Sequence, residues 1–161
     1  MLSFRKATIA DIKLYFDWAN DSVVREKSYN SNTIDYETHK KWFESKLKDP
    51  FCLMLVFENE QKQQIGQIRI QQDTEKEALI GISIAVEHRG NGYAKHMLKL
   101  ATDYFLASNQ KISINAFIKE NNLTSKYAFE KAGFEFKKIF NYENCRSFHY
   151  IKMIQNEDRY L

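Results

Sequence analysis

The stretch Arg89-Gly90-Asn91-Gly92-Tyr93-Ala94 lies between the apolar run Ile80 to Val86 and the helix-like Lys95-His96-Met97-Leu98-Lys99-Leu100, and it constrains the fold most. An apolar strand that enters a glycine-bearing turn and leaves as a helix gathers unpaired backbone N–H groups at one point, which makes an anion cradle. Gly90 and Gly92 let the backbone approach a phosphate closely, and Arg89 adds charge. No Gly-Lys-Ser/Thr follows, so this is not a P-loop, and the third glycine of the dinucleotide fingerprint is missing.

The form Arg-x-x-Gly-x-Ala resembles the pyrophosphate-binding signature of the GNAT superfamily of acetyl-CoA-dependent N-acetyltransferases. A second segment, Asn122-Leu123-Thr124-Ser125-Lys126-Tyr127-Ala128-Phe129-Glu130-Lys131-Ala132-Gly133-Phe134, resembles the run that follows the fifth strand in that superfamily. Here Asn122 starts a helix, Gly133 stops it in a left-handed conformation, and Phe134 opens the next strand.

The rest of the chain suits one compact enzyme domain over residues 1–161. With 24 basic residues against 21 acidic ones, and no basic block or dense aromatic-basic stripe, nucleic acid is not an expected partner. Cys52 and Cys145 have no further Cys or His at metal spacing, so neither a metal site nor a disulfide framework is expected, and the setting reads as reducing and cytoplasmic. The start Met1-Leu2-Ser3-Phe4-Arg5-Lys6 has no signal-peptide character and no apolar run is long enough to span a bilayer, so no membrane partner is expected.

Periodicity gives the order β-α-α-β-β-β-α-β-α-β-β. Leu2 to Lys6 reads as a strand, and Thr8-x-x-Asp11 caps a helix with Ile12, Tyr15, Phe16 and Ala19 on one side. A short helical or irregular piece follows around Asp21 to Glu26. Asp35 caps a helix over Tyr36 to Lys48, which Asp49-Pro50 ends. Three antiparallel strands are expected over Phe51 to Glu58, Gln64 to Gln72 and Glu77 to Val86. Gly92 to Ser108 reads as a helix, Lys111 to Ile118 as a strand and Leu123 to Ala132 as a helix. Phe134 to Phe140 and Ser147 to Ile154 close as a hairpin around Asn141 to Asn144. The resemblance implies that this order makes an α+β GNAT fold: a mixed, twisted sheet of about seven strands, about four flanking helices, and a splay between the fourth and fifth strands.

The resemblance further implies that the pantetheine arm of acetyl-CoA enters that splay like an added strand. Ile84, Ala85 and Val86 then run along the arm, Arg89, Gly90, Asn91, Gly92, Tyr93 and Ala94 surround the pyrophosphate, and Asn122 and Ser125 lie on its far side. The chemistry needs a neutral amine, an oxyanion donor and a route for reprotonating the thiolate. The N–H of Val86 is the expected oxyanion donor. Ser83, Asn115 and the waters they hold are the nearest polar candidates for a base, and His39, a polar ring on an apolar stripe beside Trp42, is another. Phe129 stands where many family members place an acid Tyr, so the acid is unassigned.

The amino-terminal third, Trp18 to Asn30 followed by Ile34 to Phe43, resembles the subgroup that acetylates nucleotide-linked amino sugars in pseudaminic-acid-type pathways. The expected partner is therefore a small-molecule amine, a nucleotide sugar, with a homodimer as one assembly open to the chain. On that resemblance Arg25 meets the diphosphate, Tyr29, Trp42 or His39 stack on a base or sugar, and Asn20 bonds a hydroxyl. A protein N-terminus, an antibiotic or polyamine, and acetyl-CoA binding without turnover are the alternatives.

Overall fold

A computed structural model describes residues 1–154. Seven strands form one sheet in the order β1-β2-β3-β4-β5-β7-β6. They are β1 (Ser3–Lys6), β2 (Cys52–Glu58), β3 (Gln64–Gln72), β4 (Glu77–Ile84), β5 (Ser113–Lys119), β6 (Glu135–Tyr142) and β7 (Cys145–Lys152). Only β4 and β5 are parallel; every other neighbouring pair is antiparallel. Five helices complete the described residues: α1 (Ile12–Ala19), α2 (Ser22–Lys27), α3 (Tyr36–Lys48), α4 (Tyr93–Ser108) and α5 (Leu123–Lys131). This is the expected GNAT-type α+β architecture, with five helices where about four were expected.

Both sheet faces are covered, which is why Leu53 to Phe57 is an unbroken apolar run rather than an alternating one. On one face Leu55, Phe57, Ile68, Ile70, Ile80 and Ile114 pack with Met97, Leu98, Ala101 and Phe105 of α4 and Phe129 of α5. On the other, Met54, Val56 and Ala85 pack with Ile12, Tyr15, Trp18 and Phe43 from α1 and α3. The caps follow the sequence: Thr8 and Asp11 form a capping box, here closing a 3-10 turn (Ile9–Asp11) that runs into α1. The Asp35 carboxylate accepts from the Thr38 N–H at the start of α3.

Several element ends shift by a residue or two from expectation, and two of these shifts matter to the site. β4 ends at Ile84, and Val86–His88 is a 3-10 turn. The β6–β7 connection is only Glu143-Asn144, both left-handed at φ 48° and 62°, so Tyr142 pairs with Cys145. That is the tight right-twisted hairpin turn; the polar run Asn141 to Asn144 reads as a longer loop because half of it is strand. The extension carries Tyr142 onto the sheet face that bears Phe117.

Candidate functional site

β4 and β5 pair at Glu77–Ser113, Ala78–Ile114 and Leu79–Asn115 and no further. Beyond that vertex β4 stays with β3 as far as Ile84, while β5 stays with β7 as far as Lys119, so a gap opens between them. The Ala85 N–H donates to the Ile65 carbonyl at 2.8 Å. Because bonded and non-bonded pairs alternate along an antiparallel ladder, Ile82 and Ile84 turn their own backbone groups away from β3, into the gap. Ala85 does not belong with them: its N–H is bound to Ile65, its carbonyl accepts from His88, and its side chain is buried against α1 and α3. The expectation that Ala85 lines the arm is corrected on that ground. Val86 lies outside the strand, first in the 3-10 turn, with its side chain exposed.

The glycine turn has the expected shape. Gly90 and Gly92 have φ of +78° and +75°, and a Cβ at either meets nothing nearer than 4.0 Å, so the space above them is open. Asn91 Nδ2 donates to the carbonyls of His88 and Arg89 and holds the turn. Tyr93 and Ala94 begin α4, whose N-cap is Gly92 and whose first N–H groups have no capping side chain. Arg89 is less free than its charge suggests: Nε donates to the Ile84 carbonyl at 3.0 Å and Nη2 to Asp21 Oδ1 at 2.8 Å. Asn122 caps α5 through the Ser125 N–H.

The residues expected to bind the amine partner fare differently. Asn20 is spent on the backbone of Ile34, donating to its carbonyl and accepting from its N–H. Arg25 Nε and Nη1 donate to the carbonyls of Ala19, Asn30 and Asn32, and Nη2 donates to Ser28 Oγ, so it braces the loop after α2 instead of facing a diphosphate. His39 is buried between Phe16, Trp42 and Phe43, with Nε2 3.1 Å from the Ile12 carbonyl, and burial pushes its pKa down. It is a satisfied core histidine, and the catalytic and stacking expectations for it are corrected. Trp42 is half-buried, with the Arg69 guanidinium 5.1 Å from its ring centre. Tyr29 alone reaches the gap side: its hydroxyl donates to Ser147 Oγ at 2.7 Å and its ring packs edge-on to Tyr142.

Alternation along the strands puts Gln67, Gly81, Ser83, Asn115, Phe117, Ser147 and His149 on one sheet face, along the two sides of the gap. On the β4 side Gln67 Nε2 donates to Ser83 Oγ at 2.8 Å. On the β5 side His149 Nε2 lies 2.7 Å from Asn115 Oδ1. Phe117, Phe140, Tyr142 and His149 form one aromatic wall, with ring centres 4.4 to 5.9 Å apart, which Tyr29 extends. Lys119 Nζ lies 5.8 Å above the Tyr29 ring and Lys138 Nζ 5.3 Å above Phe140. A Cβ added to Gly81 would meet nothing within 4 Å, so the vertex is open on this face. Sequence reasoning singled out Ser83 and Asn115 but missed Gln67, Phe117, Phe140 and Tyr142. The available signal was the period-two pattern of β5 and β7 once their register is known.

Among the described residues no three His, Cys, Asp or Glu side chains are grouped to hold a metal, and no helix is long and apolar enough to cross a membrane. A family model described as "Acetyltransferase (GNAT) domain" matches residues 1–135. No curated protein matches the sequence. Solved structures do. Spermidine N-acetyltransferase from Vibrio cholerae, in complex with CoA and spermine, superposes with a TM-score of 0.84 at 18% identity over 94% of each chain. The same enzyme has been solved as a dodecamer, with a TM-score of 0.76 over 94% of this chain and 93% of that one at 18% identity. Aminoglycoside acetyltransferase AAC(6′)-Ib, in complex with coenzyme A and kanamycin, gives a TM-score of 0.79 at 16% identity over 95% of each chain. At such identities the likeness is one of fold.

Proposed function

The chain belongs to the GNAT acetyltransferase family, and on that premise we propose that it moves an acetyl group from acetyl-CoA directly to the primary amine of a nucleotide-linked amino sugar. The pantetheine arm adds as a strand to the gap edge of β4, bonding the backbone of Ile82 and Ile84, and the pyrophosphate rests on the N–H groups from Gly90 to Lys95. The thioester then lies toward the vertex, beside Gly81. A backbone N–H of β4 facing the gap, from Ile84 or from Val86 just beyond it, stabilises the oxyanion. Coenzyme A leaves as a thiolate, whose ordinary pKa near 8.5 makes a dedicated acid dispensable.

The observation that carries the acceptor reading is the charge of the aromatic wall. Lys119 and Lys138 sit over its rings, and among the described residues neither forms a salt bridge. Aromatic faces beside cations that have no carboxylate partner suit a base and a diphosphate. Spermine and kanamycin, bound by the structurally similar enzymes, are polycations and call for carboxylates in that position.

Coenzyme A release on a panel of 4-amino-6-deoxy nucleotide sugars, spermidine, kanamycin and N-terminal peptides tests the reading. Selective turnover of a nucleotide sugar supports it. Selective turnover of spermidine or kanamycin replaces it with a small-polyamine reading on the same acetyl-CoA site.

A further inference from the structure

Two buried side-chain atoms on this sheet face lack hydrogen-bond partners among the described residues: Gln67 Oε1 and His149 Nδ1. Such atoms cost about 1–3 kcal/mol each when left bare, so their presence asks for a donor that the described residues do not supply. They share a sheet face but stand three strands apart: Gln67 is on β3 opposite Ser83, four residues past Leu79 of the last β4–β5 pair, whereas His149 on β7 has Nε2 2.7 Å from Asn115 of that pair, so His149 is the one at the vertex. An amine held at the vertex is a group that presents N–H donors to His149 Nδ1.

The histidine's tautomer follows from its neighbour. Asn115 Nδ2 donates to the Ala78 carbonyl at 3.4 Å, which turns Oδ1 toward His149. An amide oxygen only accepts, so His149 Nε2 carries the hydrogen and Nδ1 keeps its lone pair. We propose that His149 is the base of the transfer, its Nδ1 taking a proton from the acceptor amine at the vertex, with the ring positioned by Asn115. This rests on the acetyl-transfer reading above and adds the base which that reading lacks.

The step balances without further reagents. The neutral amine's lone pair attacks the thioester carbonyl carbon, the N–C bond forms, and the nitrogen becomes cationic. One N–H proton of that nitrogen passes to His149 Nδ1. The carbon–sulfur bond then breaks with its electron pair on sulfur, and the imidazolium's proton returns to the thiolate. The charges facing His149 favour its neutral form at rest: burial first, then Lys138 and Lys137 of β6, push its pKa below the ordinary 6.5, and only Glu77 at the start of β4 opposes them. Lys119 is on the same face of β5, and the phenols of Tyr29 and Tyr142 border the wall.

Two measurements test the proposal on the full chain. Nitrogen-15 NMR of histidine-labelled protein, with no substrate present, is expected to show His149 neutral at pH 7 with its hydrogen on Nε2; a hydrogen on Nδ1, or an imidazolium, overturns it. His149→Gln is expected to lower kcat by about 10²–10⁴-fold on whichever panel amine turns over best, with acetyl-CoA affinity retained. The limb of log kcat/KM that rises through the histidine pKa should vanish with it. Asn115→Asp should move that limb to higher pH, because a carboxylate partner favours the imidazolium. Wild-type kcat and an unmoved pH profile in His149→Gln would place the base elsewhere. The NMR measurement needs no turnover, and the kinetic one uses any acetylated amine, so the base assignment can fail while the nucleotide-sugar reading stands, or the reverse.

Discussion

Arg89 Nη2 donates to Asp21 Oδ1 at 2.8 Å, joining the glycine turn after β4 to the N-cap of α2 across 68 residues of chain. The same carboxylate oxygen accepts from the N–H groups of Val23 and Val24. The glycine turn and the α2 segment therefore share one side chain. At the far end of that segment Tyr29 bonds Ser147 and Lys119 Nζ bonds the Glu26 carbonyl, so α2 bridges from the β4 side of the gap to the β5–β7 side.

Replacing Asp21 separates its two roles. Asp21→Asn keeps a competent cap and discharges the ion pair; Asp21→Ala loses both, at about 1 kcal/mol for the cap. Freed of Asp21, the Arg89 guanidinium should favour the pyrophosphate, and both variants are expected to bind acetyl-CoA about two- to fivefold more tightly at low salt. Burial opposes the Asp21 charge, but the Arg89 bond and the Val24 and Val23 N–H groups outweigh it and hold its pKa below 3.8. Its contribution to stability is thus complete above that pH and lost as pH falls through the lower folded value. Isothermal titration and thermal melts check each part; unchanged acetyl-CoA affinity in Asp21→Asn would show that Arg89 does not face the phosphates.

Arg25→Ala is expected to act on stability first. Its donors hold three carbonyls and a hydroxyl around the loop after α2, and a loss of about 2 kcal/mol is expected when they are left unpaired. A fall in melting temperature together with a higher acceptor KM fits a brace; a higher KM at wild-type stability would return Arg25 to the ligand.

The regular elements and the glycine turn were legible because their signals are local. Asp35 and Pro50 bracket α3, and Gly90 and Gly92 mark a turn that needs positive φ. The acceptor side was not legible in the same way. Asn20, Arg25 and His39 are the polar residues one would assign to a ligand, yet each is consumed by a backbone carbonyl elsewhere in the amino-terminal third, which no periodicity reports. Conversely, His149 and Phe117 meet only because β7 inserts between β5 and β6, a pairing between residues far apart in sequence. The two-residue turn at Glu143-Asn144 then decides whether Tyr142 joins them.

Gly92→Val should weaken acetyl-CoA binding while the fold survives. At φ +75° a side chain costs about 1–2 kcal/mol of backbone strain, but the neighbouring space holds only the Lys95 side-chain end at 4.0 Å. The added bulk would stand where the phosphates approach. Unchanged affinity in a folded variant would refute the cradle.

Gly81→Val offers the opposite balance of stability and activity. The position is a strand interior with no positive φ, and its Cβ would enter open space, so a β-branched residue should leave the melting temperature equal or higher. The same side chain would fill the vertex where the thioester and amine must meet, and kcat is expected to fall about 10²-fold from misplacement alone. Full activity in Gly81→Val would mean that the reacting atoms lie nearer the mouth of the gap.

Charge reversal at the aromatic wall separates the acceptor classes. Lys119→Glu and Lys138→Glu each place a carboxylate beside rings whose present neighbours are cations. For an anionic nucleotide sugar the acceptor KM should rise about tenfold in the double variant, more at low salt than at high, while a polycation such as spermidine should gain by a similar factor. The acetyl-CoA KM is the internal control, since the phosphate cradle lies on a different turn. Lys138→Glu also removes one of the cations that depress the His149 pKa, so the rising limb of its pH profile should move upward. Steady-state kinetics on both acceptors across pH measure all of this at once, and equal KM values for nucleotide sugar in wild type and double variant would take the diphosphate off this wall.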